Sequence, residues 1–165
     1  MKIYCDTSVL RHNISRHNDE KSQRELAALN QLAANYPMFG SHLVRYEAEK
    51  TKDEIRRGHL IVDVDGLQNV PNDQKLLGFN VQINQYSCIN FPIISDVQDE
   101  AIRAELMERR LKRRDAEHIT QAVCNNCDVF LTRDEDSIIT PHRDWLQQRF
   151  SGLKIRLPSE LVAEL

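Results

Sequence analysis

The sequence has no glycine-rich phosphate-binding motif and no long apolar run, and each absence removes a class of function. Without a glycine-rich loop, binding of a nucleotide cofactor by that route is unsupported. No apolar stretch approaches the length of a membrane-spanning helix, and the N-terminal apolar stretch is interrupted at Asp6. We therefore expect neither a transmembrane helix nor a secretory signal.

The cysteines also lack the pattern of a disulfide framework. There are 4 of them, and their spacing is not that of a small secreted protein, which predicts a reducing environment and a cytoplasmic location. Cys124 and Cys127 have CxxC spacing, but a structural zinc site needs a second ligand pair, which Cys5 and Cys88 do not supply. Two ordinary thiols at a helix end are the preferred interpretation.

A strong excess of positive charge is absent as well. The formal net charge of −3 argues against a protein that coats nucleic acid by bulk charge, so any such contact must be local. With 165 residues, 41% hydrophobic and 28% charged, the chain is expected to form a single domain over residues 1–165. Within it, an extended segment at about 58–95 has no pattern that predicts a structure.

What the sequence does contain is an alternation of short apolar strands with helices. Strands are predicted at 2–5, 38–40, 128–131 and 153–156, and helices at 20–35, 42–57, 95–112, 115–125 and 140–150, with a terminal helical turn from Pro158. Such alternation predicts an α/β fold: a three-layer α/β/α arrangement around a central parallel sheet of short strands.

Four acidic residues are predicted to meet at one edge of this sheet. Asp6 and Asp134 each follow a strand, so both lie at the carboxyl edge, where open α/β sheets bind ligands. Asp115 opens a helix that feeds the next strand through a tight connection, which places its first residue at the same edge. Glu47 lies near the start of the helix that Ser41 is expected to cap. Helix capping would explain a single acid such as Asp6, whereas the convergence of four acids on one edge favours a functional site.

Clustered carboxylates are costly because like charges at short range disfavour joint ionisation. An all-oxygen ligand set predicts a hard cation, Mg²⁺ or Mn²⁺, and such a site suits the hydrolysis of phosphodiester bonds. We expect Asp6 and Asp115 to be the central ligands, Asp134 to complete the site and Glu47 to orient a water molecule.

Four further residues are candidates for accessory roles. Asp136 is a possible fifth acid, although solvation of a loop explains it equally well. Thr7, Ser8 and Thr132 are placed to hydrogen-bond carboxylates or waters, although helix capping alone accounts for such residues.

The segments that carry the acids resemble the four acidic motifs of PIN domains, in the same order and at similar spacing. These segments are Ile3–Val9, Ser41–Glu47, Arg114–Ala122 and Phe130–Asp136, and Leu157–Leu161 resembles the C-terminal end of that family. The resemblance implies a PIN-like fold and a Mg²⁺- or Mn²⁺-dependent endoribonuclease, similar to the VapC-like toxins of bacterial toxin–antitoxin pairs. By position, it assigns the metal-site acids to Asp6, Glu47, Asp115 and Asp134, with RNA as substrate and an antitoxin protein as a partner.

Other side chains have competing interpretations. In the basic run 109–114, Arg113 and Arg114 are the candidate substrate contacts, and a solvated helix face that pairs with nearby acids is the alternative. His118 lies one helical turn after Asp115 and could approach the site, but a packed or surface histidine is the preferred interpretation, because a hard cation would not select it.

Aromatic and apolar side chains leave similar choices. Tyr4, Phe39 and Tyr46 are possible stacking platforms for bases, but their strand and helix positions favour the core. Leu76, Leu77 and Phe79 could form a homodimer or partner face, or simply cover the local core.

Two alternatives to a nuclease stay open at this point. One is a non-catalytic RNA-binding or scaffold domain on the same fold. The other is a Mg²⁺-dependent phospho-acceptor switch, which would need a lysine beyond the end of a late strand, whereas Lys154 lies inside its strand.

Overall fold

A computed structural model describes residues 1–17, 19–71, 80–84, 87–90 and 97–165. Its main sheet has five parallel strands in the order β3-β2-β1-β6-β7. These strands are β1 (Ile3–Cys5), β2 (Met38–Gly40), β3 (Gln68–Asn69), β6 (Val129–Leu131) and β7 (Lys154–Arg156). A separate antiparallel pair is formed by β4 (Asn80–Asn84) and β5 (Ser87–Asn90).

Helices connect the strands of the parallel sheet. They are α1 (Arg11–Ile14), α2 (Glu20–Asn35), α3 (His42–Glu49), α4 (Glu54–Asp65), α5 (Val97–Glu108), α6 (Arg113–Cys124), α7 (Thr140–Arg149) and α8 (Pro158–Glu164). A short 3₁₀ turn covers Thr7–Val9, and a π-helical turn covers Glu135–Ile139. Among the described helices, none combines the length and the apolar character needed to cross a bilayer.

Both faces of the sheet are buried, which confirms the predicted three-layer α/β/α fold. Because side chains alternate along a strand, Tyr4 and Phe130 point to one face, where their rings stack with centroids 5.7 Å apart. Ile3, Cys5 and Leu131 belong to the opposite core. Helices α6 and α7 supply apolar residues to the first face, and α2 and α8 supply them to the second.

The strand and helix boundaries mostly follow the sequence prediction. Asp19 caps α2 by accepting a hydrogen bond from the Ser22 amide at 2.8 Å, and Ser41 accepts one from the Leu43 amide at 3.3 Å at the start of α3. Asn126, after α6, adopts the left-handed conformation with φ of 50°, as expected for an asparagine that ends a helix.

The single helix predicted for residues 42–57 is wrong, because the chain forms α3 and α4 instead. The break has a local cause: Asp53 accepts a hydrogen bond from the Arg56 amide at 2.9 Å and so starts a new helix. Residues 60–62, at the start of the segment for which the sequence predicts no structure, lie inside α4. The apolar group of Leu76, Leu77 and Phe79 lies outside the described residues.

The register of the central strands brings distant parts of the chain together at the carboxyl edge. Cys5 of β1 pairs with Leu131 of β6, and the Asp6 amide donates to the Leu131 carbonyl at 3.0 Å. Asp6 and Thr132 therefore leave the sheet side by side, although 126 positions separate them.

Candidate metal centre

Asp6 is held by hydroxyl groups on one of its two carboxylate oxygens. Its Oδ2 accepts hydrogen bonds from Ser8 Oγ at 2.6 Å and Thr132 Oγ1 at 2.8 Å. Its Oδ1 has His118 Nε2 at 4.0 Å. The two hydroxyls fix the rotamer of Asp6 and leave Oδ1 directed toward the cluster.

Glu47 repeats this arrangement from the neighbouring helix α3. The Thr7 hydroxyl donates to Oε2, and Oε1 lies 3.3 Å from His118 Nε2. Burial raises the pKa of Glu47, but the contacts with His118 and Thr7 outweigh this effect and hold the pKa below its ordinary value. Glu47 is therefore a fixed, ionised carboxylate with one oxygen held by a hydroxyl.

Asp115, in the first turn of α6, is the least compensated acid of the group. Its Oδ2 is buried and has no hydrogen-bond partner within the described part of the chain. Burial is the largest cause that raises the pKa of Asp115 to about 6, followed by the charges of Asp134 and Asp6. A buried carboxylate that faces two other acids is a cost unless another group neutralises it.

Asp134 is joined to Asp6 through Thr132. The Asp134 amide donates to Thr132 Oγ1 at 3.1 Å, and the same hydroxyl donates to Asp6. Asp134 Oδ1 accepts the Ser137 amide at 2.9 Å and so caps the π-helical turn. Asp136 is exposed in that turn, consistent with the interpretation of a solvated acid.

The three predicted accessory hydroxyls all contact the acids. Thr7 binds Glu47, while Ser8 and Thr132 bind the same oxygen of Asp6. Ser8 Oγ also accepts the Arg133 amide at 2.9 Å, which ties the loop after β6 to the start of the chain.

His118 lies at this site, whereas the sequence interpretation preferred a packed or surface histidine to one that approaches the acids. It is packed, as expected, but its Nε2 faces Glu47 and Asp6. Its Nδ1 lies 2.9 Å from the Tyr4 hydroxyl, which lies 2.7 Å from Ser41 Oγ. The nearby signal in the sequence is its position one helical turn after Asp115, which puts both residues on one face of α6.

The negative charge of the acids raises the pKa of His118, although burial alone would lower it. Its Nε2 contact with Glu47 is close enough for an ion pair but lacks hydrogen-bond geometry. His118 therefore partly balances the negative charge of the acids and packs against Glu47.

The donor atoms fit a divalent cation. Asp6, Glu47 and His118 each offer one ligand atom, and these three atoms lie within 4.8 Å of one another. In the described residues, no lysine or arginine forms an ion pair with Asp6, Asp115 or Asp134. The buried Asp115 Oδ2 supplies a further oxygen without a partner. The group within 4.8 Å contains neither Asp115 nor Asp134, and its imidazole nitrogen departs from the all-oxygen ligand set that the sequence predicted. Its two carboxylate oxygens suit Mg²⁺ or Mn²⁺.

The candidate substrate arginines lie beside the acids rather than among them. Arg113 Nε and Arg114 Nη1 both donate to Glu117, at 2.8 and 3.1 Å.

The expectation that Tyr46 belongs to the core is wrong, because this residue is 39% exposed, whereas Tyr4 is fully buried.

Comparison with known proteins supports the fold. No family model matches the chain, and no curated protein matches it. Among solved structures, the chain is similar to one in the crystal structure of VapBC2 from Rickettsia felis bound to a DNA fragment from its promoter. The two chains are 17% identical, the match covers 94% of this chain and 98% of the other, and the TM-score is 0.52. At this identity, the comparison shows a shared α/β fold.

Proposed function

We propose that this chain is a divalent-metal-dependent endoribonuclease that uses Mg²⁺ or Mn²⁺, of the kind found as the toxin of VapC-like toxin–antitoxin pairs. The observation that carries the proposal is the buried Asp115 Oδ2, which has no hydrogen-bond partner within the described part of the chain. Burial, followed by the charges of Asp134 and Asp6, raises the pKa of this carboxyl. The resemblance of the acidic segments to PIN motifs and the fold shared with a VapBC2 chain agree with it.

In this proposal the acids have distinct tasks. Asp6, Asp115 and Asp134 would hold the metal, and Glu47 would orient the attacking water through its Oε1. When bound, the metal would supply charge stabilisation at the scissile phosphate and activation of water. Thr7, Ser8 and Thr132 keep the carboxylate rotamers fixed, and His118 holds Glu47 at the required position.

Cleavage of labelled single-stranded RNA in Mn²⁺ tests this function. Asp6→Asn preserves the shape of the side chain but removes a ligand charge, so we expect cleavage to disappear while the fold is retained. Asp136→Asn is the matched control, because it removes the same charge from an exposed acid nearby. Cleavage that persists in Asp6→Asn, or in excess chelator, would contradict the proposal.

A protein partner is part of the same proposal. The similar structure is a VapBC2 complex, so we propose that this chain binds an antitoxin and forms a homodimer. Expression of the chain alone should arrest growth, and co-expression of a small protein encoded beside it should relieve the arrest. Growth arrest that also occurs with Asp6→Asn would show that the toxicity does not come from the acids.

A non-catalytic RNA-binding domain is the second candidate, and the position of His118 favours it. The imidazole already lies 3.3 Å from Glu47 and offers charge compensation without a metal. This candidate predicts RNA binding without Mn²⁺-dependent cleavage in the assay above.

The phospho-acceptor alternative loses support from the position of Lys154. This residue begins β7, at the end of the strand away from the acids, and its Nζ lies 3.3 Å from Glu164.

A further inference from the structure

A cleft of about 450 Å³ lies between α3 and α6. Tyr46 and Arg114 both line it. Each directly precedes a site acid in the sequence: Tyr46 precedes Glu47, and Arg114 precedes Asp115. The cleft is therefore built by the same two helices that position these carboxylates. Its volume is in the range of pockets that bind small molecules.

The Arg114 guanidinium lies over the Tyr46 ring, with its central carbon 4.7 Å from the ring centroid. Lys50 Nζ is also 4.6 Å from this centroid. The cleft therefore contains an exposed aromatic ring with two cations against it, which is the combination that single-strand-binding surfaces use.

Glu117 orients the arginines of the cleft. Its side chain is only 8% exposed, whereas Arg113 and Arg114 are 68% and 46% exposed. Each arginine donates one nitrogen to this buried carboxylate, and each guanidinium carries further N–H groups. The carboxylate thus anchors Arg113 at Nε and Arg114 at Nη1, and the other N–H groups of both side chains are not used by these two bonds.

A polyanion that approaches the acids needs local positive charge, because the protein as a whole has a net charge of −3. Arg113 and Arg114 provide that charge next to Asp115.

We propose that this cleft binds one nucleotide of a single-stranded nucleic acid next to the scissile phosphate, with its base against the Tyr46–Arg114 pair and a phosphate on Arg113. The inference rests on the proposed nuclease function and assigns a substrate subsite to it. A base can enter such a cleft only when it is unpaired, so a duplex of the same sequence should bind more weakly.

The test is a fluorescence-anisotropy titration of a labelled 12-mer of oligouridylate or oligoadenylate, carried out with full-length protein. All variants carry Asp6→Asn so that no cleavage occurs. We expect Tyr46→Leu to weaken binding by about tenfold and Tyr46→Phe to retain it, because the aromatic face is what stacks. Arg114→Gln should weaken binding because the base loses its cationic partner, and Arg113→Gln should reduce the salt dependence by about one phosphate contact.

Arg109→Gln is the matched control. Arg109 forms the same kind of cation–aromatic pair, 4.9 Å from the Trp145 ring, but neither residue lines the cleft. Binding by this control should stay within about twofold of the parent, since one distant charge contributes little. Equal binding by Tyr46→Leu, Arg114→Gln and the control would overturn the proposal.

The failure of this inference differs from the failure of the nuclease proposal. If the parent with Asp6 intact cleaves RNA but Tyr46→Leu and Arg114→Gln leave KM unchanged, the subsite is wrong and the nuclease stands. If the variants lose binding while the parent never cleaves, the subsite stands and the catalytic assignment falls. If poly-glutamate binds more tightly than the oligonucleotide with the same variant sensitivity, the cleft is a protein-binding surface instead.

Discussion

Helix α6 carries two carboxylates only two positions apart that have opposite surroundings. Glu117 is buried and contacts three arginines: Arg103, Arg113 and Arg114. Asp115 faces other acids, and its Oδ2 has no partner among the described residues. Two positions on a helix differ by about 200° in direction, which explains how one helix serves both environments.

The contrast shows that the acidic cluster does not arise from a shortage of cations. Arg113 and Arg114 directly precede Asp115 in the chain, yet their guanidinium groups turn to Glu117. An ionised group left uncompensated in this way destabilises the folded protein, so its presence points to a function that requires it.

The largest expected effect is a difference in RNA cleavage between variants of Asp115 and Glu117. Asp115→Asn should reduce Mn²⁺-dependent RNA cleavage on the order of a thousandfold or more, because a metal ligand is lost. Glu117→Gln should retain cleavage within about tenfold, since Glu117 contacts arginines and none of the site acids. Rates under single-turnover conditions measure both, and equal losses in the two variants would remove the distinction.

His118 allows a second test of the comparison, because this residue of α6 is packed in the core and also lies near Glu47. We expect His118→Gln to lower the cleavage rate by about 10- to 100-fold through the misplacement of Glu47. Tyr4→Phe, which removes only the hydroxyl next to His118 Nδ1, should cause a smaller loss. A rate unchanged in His118→Gln would restrict this residue to packing.

Stability should move in opposite directions for the two acids in metal-free protein at pH 7. Glu117→Gln should lower the free energy of unfolding by about 1 kcal/mol, because three arginines lose their anionic partner. Asp115→Asn should raise it by about 1 kcal/mol; this value is discounted for the partial exposure of Asp115. Urea denaturation in chelator measures both, and a large destabilisation by Asp115→Asn would favour a structural role.

The smallest expected effect is a pH dependence specific to Asp115. Its folded pKa of about 6 lies above the ordinary value of 3.8, so between these values the folded state binds the proton more tightly than the unfolded state. Stability from this group therefore falls as pH rises through that window. The lowered pKa of Glu47 acts in the opposite sense, so only the difference between the parent and Asp115→Asn isolates the effect.

Urea denaturation of metal-free parent and Asp115→Asn at pH 4 and pH 7 measures this difference. Relative to the variant, the parent should lose about 1 kcal/mol between the two pH values. Parallel pH profiles for the two proteins would contradict the assigned titration of Asp115.

Much of the fold follows from local patterns in the sequence. Short apolar strands that alternate with capped helices predict the parallel sheet, and the ends of β1 and β6 predict that Asp6 and Asp134 share one edge. The split between α3 and α4 was missed because a single aspartate disfavours a helix interior only weakly, so Asp53 was not recognised as a cap.

The details of the site were less accessible from the sequence. Tyr46 and His118 both lie on helices, and their exposure depends on which face packs against the sheet and on neighbours far along the chain. The apolar pattern of α3 does not separate Tyr46 from Val44, which is fully buried. The pairing of Arg113 and Arg114 with Glu117 also depends on rotamers that spacing alone does not determine.

The central claim is that the carboxylates at the carboxyl edge of the sheet form a divalent-cation site. The most direct measurement is anomalous diffraction from crystals of the protein soaked in Mn²⁺. The account predicts a manganese peak in contact with Asp6 Oδ1 and Asp115 Oδ2. An empty cluster at saturating Mn²⁺, or a peak that contacts neither atom, would contradict it.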